Sequence, residues 1–199
     1  MNPPHLNRKR TDPTLLIEQT ELEGVVLLRP RRFEDARGFF SEVWNHRRFV
    51  EEVADVTFVQ DNQSLSRHAG TIRGLHYQSP PHAQAKLVRC GRGRLLDVVV
   101  DVRRGSPTCG HWVARELTEE GGEQLFVPVG FLHGFVSLEP DTEILYKCSD
   151  YYAPDCDGAV RYDDPVLGID WRTDLCRVVV SDKDAAAPAL DQWQSPFVY

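Results

Sequence analysis

The apolar residues of this chain come in short runs, mostly β-branched or aromatic, each bounded by turn residues. Examples are Val25-Val26-Leu27-Leu28, Thr57-Phe58-Val59, residues 95–102, His111-Trp112-Val113 and residues 124–127. Glycine and proline punctuate them at fairly regular intervals: Gly91, Gly93, Gly105-Ser106-Pro107, Gly121-Gly122, Pro128 and Gly130. Many short strands with frequent turn signals predict an all-β sandwich or barrel. Helix is expected in only two places. Residues 46–54 carry Phe49, Val50 and Val53 among charged neighbours, and Ser181 can cap a turn over residues 182–186.

At 199 residues the chain is long enough for one domain with a real core. No repeat, linker or low-complexity block divides it, so residues 14–199 are read as a single domain and residues 1–13 as a flexible polar tail. The tail has Arg8-Lys9-Arg10 but no apolar stretch after it, unlike a secretory signal. No apolar run approaches the ~18–20 residues that span a bilayer, so no membrane partner is expected. The net charge of −7 argues against general nucleic-acid binding, which wants a positive balance. Five cysteines without a C-x-x-C pair argue against a disulfide framework or zinc knuckle and suit a reducing cytoplasm.

Chemistry-bearing residues concentrate in a few strand-like stretches. In Ile72-Arg73-Gly74-Leu75-His76-Tyr77-Gln78, strict alternation sends Ile72, Gly74, His76 and Gln78 one way and Arg73, Leu75 and Tyr77 the other. Arg73 and His76 share a cavity only if the strand bulges, for which Gly74 is a suitable place. Along residues 84–90 an inward face would carry Gln84, Lys86 and Val88. A lysine there either snorkels outward or waits for an oxyanion, since burying it unpaired is costly. Gln60-Asp61-Asn62 offers amides that could read a ligand's hydroxyls or carbonyls. In residues 95–101, Asp97 and Asp101 alternate with Leu95 and Val99. Each needs a partner, either a structural bond or a polar cavity.

Gly122, Pro128, Gly130 and His133 fit G-x5-P-x-G-x2-H, the spacing of the second cupin motif. There a tight turn carries the histidine back into a barrel mouth. Metal-binding cupins show H-x-H followed by Glu in their first motif. Here His76 is followed by Tyr77 and Gln78, with His82 and Lys86 beyond. The likeness to cupins predicts a cupin-like double-sheet jelly roll with few short helices, and no bound metal.

Taken in order, the chain resembles the dTDP-4-dehydrorhamnose 3,5-epimerase family over nearly its whole length after residue 14. The matching stretches include Asp35-Ala36-Arg37-Gly38-Phe39-Phe40-Ser41-Glu42, Phe58-Val59-Gln60-Asp61-Asn62, Arg73-Gly74-Leu75-His76-Tyr77-Gln78 and Lys86-Leu87-Val88-Arg89. They continue through Pro128 to Phe135, Tyr146-Lys147, Tyr152-Ala153-Pro154 and Ser181-Asp182-Lys183-Asp184. The resemblance implies epimerisation at C3 and C5 of a dTDP-linked 4-keto-6-deoxy sugar, without cofactor, by a homodimer. It implies His76 as base, Asp184 as its orienting carboxylate, Tyr146 as the opposed acid and Lys86 as the enolate's cation. Arg73 and His133 would line the sugar site. Arg37, Glu42, Gln60, Asn62 and Lys183 would hold the nucleotide, diphosphate or sugar. Asp157 stands where the family usually has glutamate, a shorter reach for the same contact. A C3-only epimerase, a non-catalytic sugar-binding cupin and a metal-dependent cupin stand as rivals.

Overall fold

The computed structural model describes residues 14–199, so the expected tail lies outside the described residues. The chain begins with an antiparallel pair, β1 (Leu15–Gln19) and β2 (Val26–Pro30). A small hairpin of β3 (Phe33–Asp35) and β4 (Gly38–Phe40) follows, then α1 (His46–Glu52). The body comprises β5 (Gln60–Ser66), β6 (Ile72–Gln78), β7 (Lys86–Arg92), β8 (Arg94–Asp101), β9 (Trp112–Thr118), β10 (Gln124–Val127), β11 (Phe131–Ser137) and β12 (Thr142–Cys148). The short β13 (Asp157–Ala159) and α2 (Asp182–Ala185) complete it.

The strands form a six-stranded sheet, β1-β2-β10-β7-β12-β5, and a five-stranded sheet, β13-β6-β11-β8-β9. All the pairings are antiparallel. The two sheets face each other as a jelly roll, the architecture the turn spacing predicts. Leu27, Val88, Leu125 and Ile144 of one sheet meet Leu95, Val99, Val113 and Phe135 of the other. The outer face of the five-stranded sheet is covered too. Leu96, Val98 and Val100 pack under Val160, Leu167, Ile169 and Trp171. This explains why β8 reads as a nearly continuous apolar run: both its faces are buried. Outside the six-stranded sheet, α1 lays Phe49 against Phe126, Leu87 and Val26.

Two local expectations change. Residues 57–59, expected as a strand, fall just short of the ladder: the Val59 N–H donates to the Cys148 carbonyl at 2.9 Å, and β5 begins at Gln60. Phe58 instead stands edge-on to Trp44 and Phe49, with centroids 5.1 and 5.4 Å away. Strict alternation along β6 also fails, through the bulge on which the cavity depended. His76 pairs with His133 and Arg73 with Phe135, so β6 carries one extra residue between the pairs. Gly74 sits there with φ of 134°. A Cβ on it would lie 2.6 Å from Gly134 Cα, so only glycine allows the two backbones to approach. The extra residue reverses the phase. Ile72 and Leu75 both point into the outer cluster, while Arg73 and His76 share the inner side.

Both helices form where expected. Asn45 caps α1 by accepting from the Arg48 N–H at 3.2 Å. Ser181 caps α2, its Oγ accepting from the Asp184 N–H at 3.1 Å. No described helix is long and apolar enough to cross a membrane.

Candidate active site

One mouth of the barrel opens into a cleft of about 410 Å³. Its walls carry His76 from β6, Lys86 from β7, Tyr146 from β12, and Gln60 and Asn62 from β5. Asp157 and Lys183 close it from β13 and α2. The fold brings these side chains together because β5, β12 and β7 are neighbours in one sheet while β6 faces them from the other.

His76 Nε2 lies 2.7 Å from Asp184 Oδ1. Asp184 is buried behind the imidazole. Its second oxygen accepts from the Gly74 N–H at 3.3 Å, so the bulged strand and the capped helix hold the carboxylate between them. Burial alone would favour the neutral acid. The bonds and charge of His76, together with the Gly74 N–H and Ser181, outweigh it and keep the carboxyl below its ordinary value. An ionised carboxylate only accepts, so in the neutral imidazole the shared proton belongs on Nε2 and Nδ1 carries the lone pair.

Across the cleft, burial pushes the Tyr146 phenol above its ordinary value, partly offset by the charge of Arg73. The phenol therefore keeps its proton through the neutral range. Burial also pushes Lys86 below its ordinary value, against the pull of Cys148, Asp97 and Asp157. Cys148 sits directly opposite Lys86 on β12, and Asn62 Nδ2 reaches its Sγ at 3.5 Å.

The remaining candidates fall into two groups. His133 is buried, and its Nε2 lies 3.0 Å from both oxygens of Asp97, which is 0% exposed. Asp97 thus finds its partner inside the barrel. Asp101, by contrast, is tied to Arg103, Ser106 and Thr108 in a turn. Arg73 reaches the Leu65 carbonyl at 3.2 Å, beside Tyr146. Lys183 forms a short ion pair with Asp157, which also accepts from the Tyr152 hydroxyl at 3.2 Å. Arg37 and Glu42 are not brought to the cleft of this chain. Arg37 is exposed on the β3–β4 hairpin and paired with Asp35, and Glu42 contacts Asn45 and Arg48. Tyr77, Gln78, Gln84 and Tyr152 also line the cleft, and the sequence assigns none of them a site role. Gln84 shares the strand face of Lys86, which was its one available signal. Among the described residues, no cluster of three or more His, Cys, Asp or Glu is placed to hold a metal ion.

An ionised carboxylate behind an imidazole, a protonated phenol across the cleft and a half-buried lysine beside them can move a proton off and onto carbon next to a carbonyl. Comparison with known proteins points the same way. The sequence model of the family described as dTDP-4-dehydrorhamnose 3,5-epimerase matches residues 19–192. The chain is 49% identical over 185 residues to dTDP-4-dehydrorhamnose 3,5-epimerase of Sinorhizobium fredii, covering 93% of this chain and 94% of the relative. The crystal structure of the Legionella pneumophila epimerase in complex with dTDP-4-keto-L-rhamnose superposes with a TM-score of 0.85 at 42% identity, covering 89% of this chain and 93% of that one. A 3′-monoepimerase from Streptomyces bikiniensis in complex with dTDP-quinovose superposes with a TM-score of 0.81 at 38% identity, covering 86% of each chain. By fold and by sequence, this chain belongs to the dTDP-4-dehydrorhamnose 3,5-epimerase family.

Proposed function

We propose that the protein epimerises C3 and C5 of dTDP-4-dehydro-6-deoxy-D-glucose, giving dTDP-4-dehydro-L-rhamnose for deoxysugar biosynthesis. The observation that carries this reading is the convergence of His76, Lys86 and Tyr146 on one cleft, with Asp184 bonded behind His76. The C4 ketone acidifies the hydrogens on both neighbouring carbons. His76 Nδ1 takes one of them as a proton, and the electron pair left on carbon delocalises onto the ketone oxygen. Lys86 donates to that oxygen and stabilises the enolate in the half-buried cleft. Tyr146 then delivers a proton to the opposite face of the same carbon, restoring the ketone with inverted configuration. Solvent exchange resets both groups before the second carbon reacts. Gln60, Asn62, Arg73 and His133 hold the sugar and its hydroxyls, and Lys183 with Asp157 meets the nucleotide end.

The homodimer belongs to this proposal. Arg37 and Glu42 lie on or beside a hairpin that exposes Phe33, Phe39 and Phe40, and a second copy of the chain would bring them to a cleft. Exposed Leu16 on β1, a sheet-edge strand, extends that apolar surface.

Incubation with the keto sugar in D₂O, read by proton NMR, tests the reaction. Deuterium at both C3 and C5 is expected, and deuterium at C3 alone would assign the chain to the monoepimerases instead. His76→Ala is expected to lower turnover at least ~10²-fold. Unchanged deuterium exchange in that variant would remove His76 as the base.

A further inference from the structure

Beyond the stretch that the family model matches, which ends at residue 192, the segment from Trp193 to Tyr199 packs on the outer apolar cluster and brings Phe197 to a chamber beside the cleft. It is fastened on both sides. Trp193 Nε1 donates to the Tyr77 hydroxyl at 2.7 Å, and the two rings lie 5.1 Å apart. Farther along, Arg104 N donates to the Phe197 carbonyl at 3.0 Å, and Tyr199 N donates back to Arg104 at 3.2 Å. The Tyr199 hydroxyl donates to Glu23 at 2.6 Å, and Arg103 stands over both the Tyr199 and Phe131 rings. Between these fastenings Phe197 is 5% exposed. It helps to close a small chamber that continues the catalytic cleft through His76 and Lys86 and leaves only about 10 Å³ free. Phe197, Phe131 and Val127 make the apolar side of this chamber, whereas Gln60, Asn62, Asp157 and Lys183 make the outer cleft polar.

We propose that Phe197 is a specificity-determining wall of the active site, and that it seats the C6 methyl group of the sugar. This deepens the epimerase reading and rests on it. The methyl is the one ring substituent that carries no oxygen, so it belongs against the apolar wall while hydroxyls and diphosphate face the polar mouth. The segment acts as a strap that sets how large and how polar the C5 substituent can be. It also braces Tyr77, the neighbour of the base along β6.

The test compares kcat/KM of the full chain for the 6-deoxy keto sugar and for its 6-hydroxy counterpart, with dTDP alone as competitive inhibitor. Phe197→Ala is expected to lower the preference for the 6-deoxy sugar about tenfold, the usual worth of a pocket's fit to one small group. The inhibition constant for dTDP should stay unchanged, because the nucleotide does not meet this wall. Phe197→Tyr keeps the ring packed and adds a hydroxyl to the wall, so it should move the preference the same way even if the alanine variant does not fold. An unchanged preference in Phe197→Tyr would overturn the proposal. So would a parallel loss of sugar turnover and dTDP binding, the mark of a merely structural strap. If the unaltered chain puts no deuterium into the 6-deoxy sugar at all, the epimerase reading fails first, before any variant is compared.

Discussion

At the scale of single residues, burial and neighbours shift the groups of the cleft toward the protonation state the chemistry needs at Tyr146 and Asp184, and against it at Lys86. Lys86 is the sharpest case. Burial works against its charge, with Cys148 opposite and the carboxylates of Asp97 and Asp157 acting from farther off. A cation held this way costs stability and gains its return only when an oxyanion arrives. Lys86→Met is therefore expected to lower turnover ~10²–10³-fold while leaving the melting temperature unchanged or higher. Thermal unfolding measured beside kcat checks both halves; a large drop in melting temperature would make Lys86 a structural residue. Sequence reasoning saw half of this. Alternation put Lys86 on the inward face with Gln84 and Val88, but the groups around it come from β8, β12 and β13, and spacing along one strand does not reveal them. Phe197 gave no signal, because its role depends on where a strand-free segment docks.

At the scale of elements, β6 and β8 show how the sheet is adapted around the site. Glycine at 74 marked the place of the bulge in the sequence, and the bulge decides which side chains of β6 enter the cleft. Phe58 shows the opposite outcome. It stays outside the ladder, half-buried in an aromatic cluster with Trp44 and Phe49. On β8 the two carboxylates part ways. Asp97 serves the cavity through His133, and Asp101 serves the fold by accepting from Arg103, Ser106 and Thr108. Burial opposes the ionisation of Asp101, yet these bonds bring its carboxyl down to about 2 from 3.8. A depressed acid stabilises the fold above its unfolded value and stops doing so as pH falls through its folded one. Asp101→Asn should thus cost at least about 2 kcal/mol at pH 7. The gap between variant and parent should narrow as pH falls from 3.8 toward 2, as urea unfolding at a series of pH values would show. A gap independent of pH would mean that the charge of Asp101 is not what holds the turn.

At the scale of the whole molecule, the jelly roll was legible from turn spacing and from the turn that delivers His133. The completeness of the site was not. Arg37 and Glu42 carry implied ligand roles yet stand apart from the cleft of their own chain. The exposed Phe39 and Phe40 beside them favour a second copy as the remedy. Phe40→Glu is expected to yield monomers in analytical ultracentrifugation and to lose activity in proportion, with the fold intact by circular dichroism. A variant that stays dimeric would place the interface elsewhere.

His76 and the carboxylate behind it are 108 residues apart in the chain. Every strand of both sheets precedes α2, which brings that carboxylate to the base. The group that fixes the tautomer of the base thus sits on a short helix added after the last strand of either sheet. A chain cut before Ser181 would keep every strand of both sheets and leave the imidazole without its carboxylate.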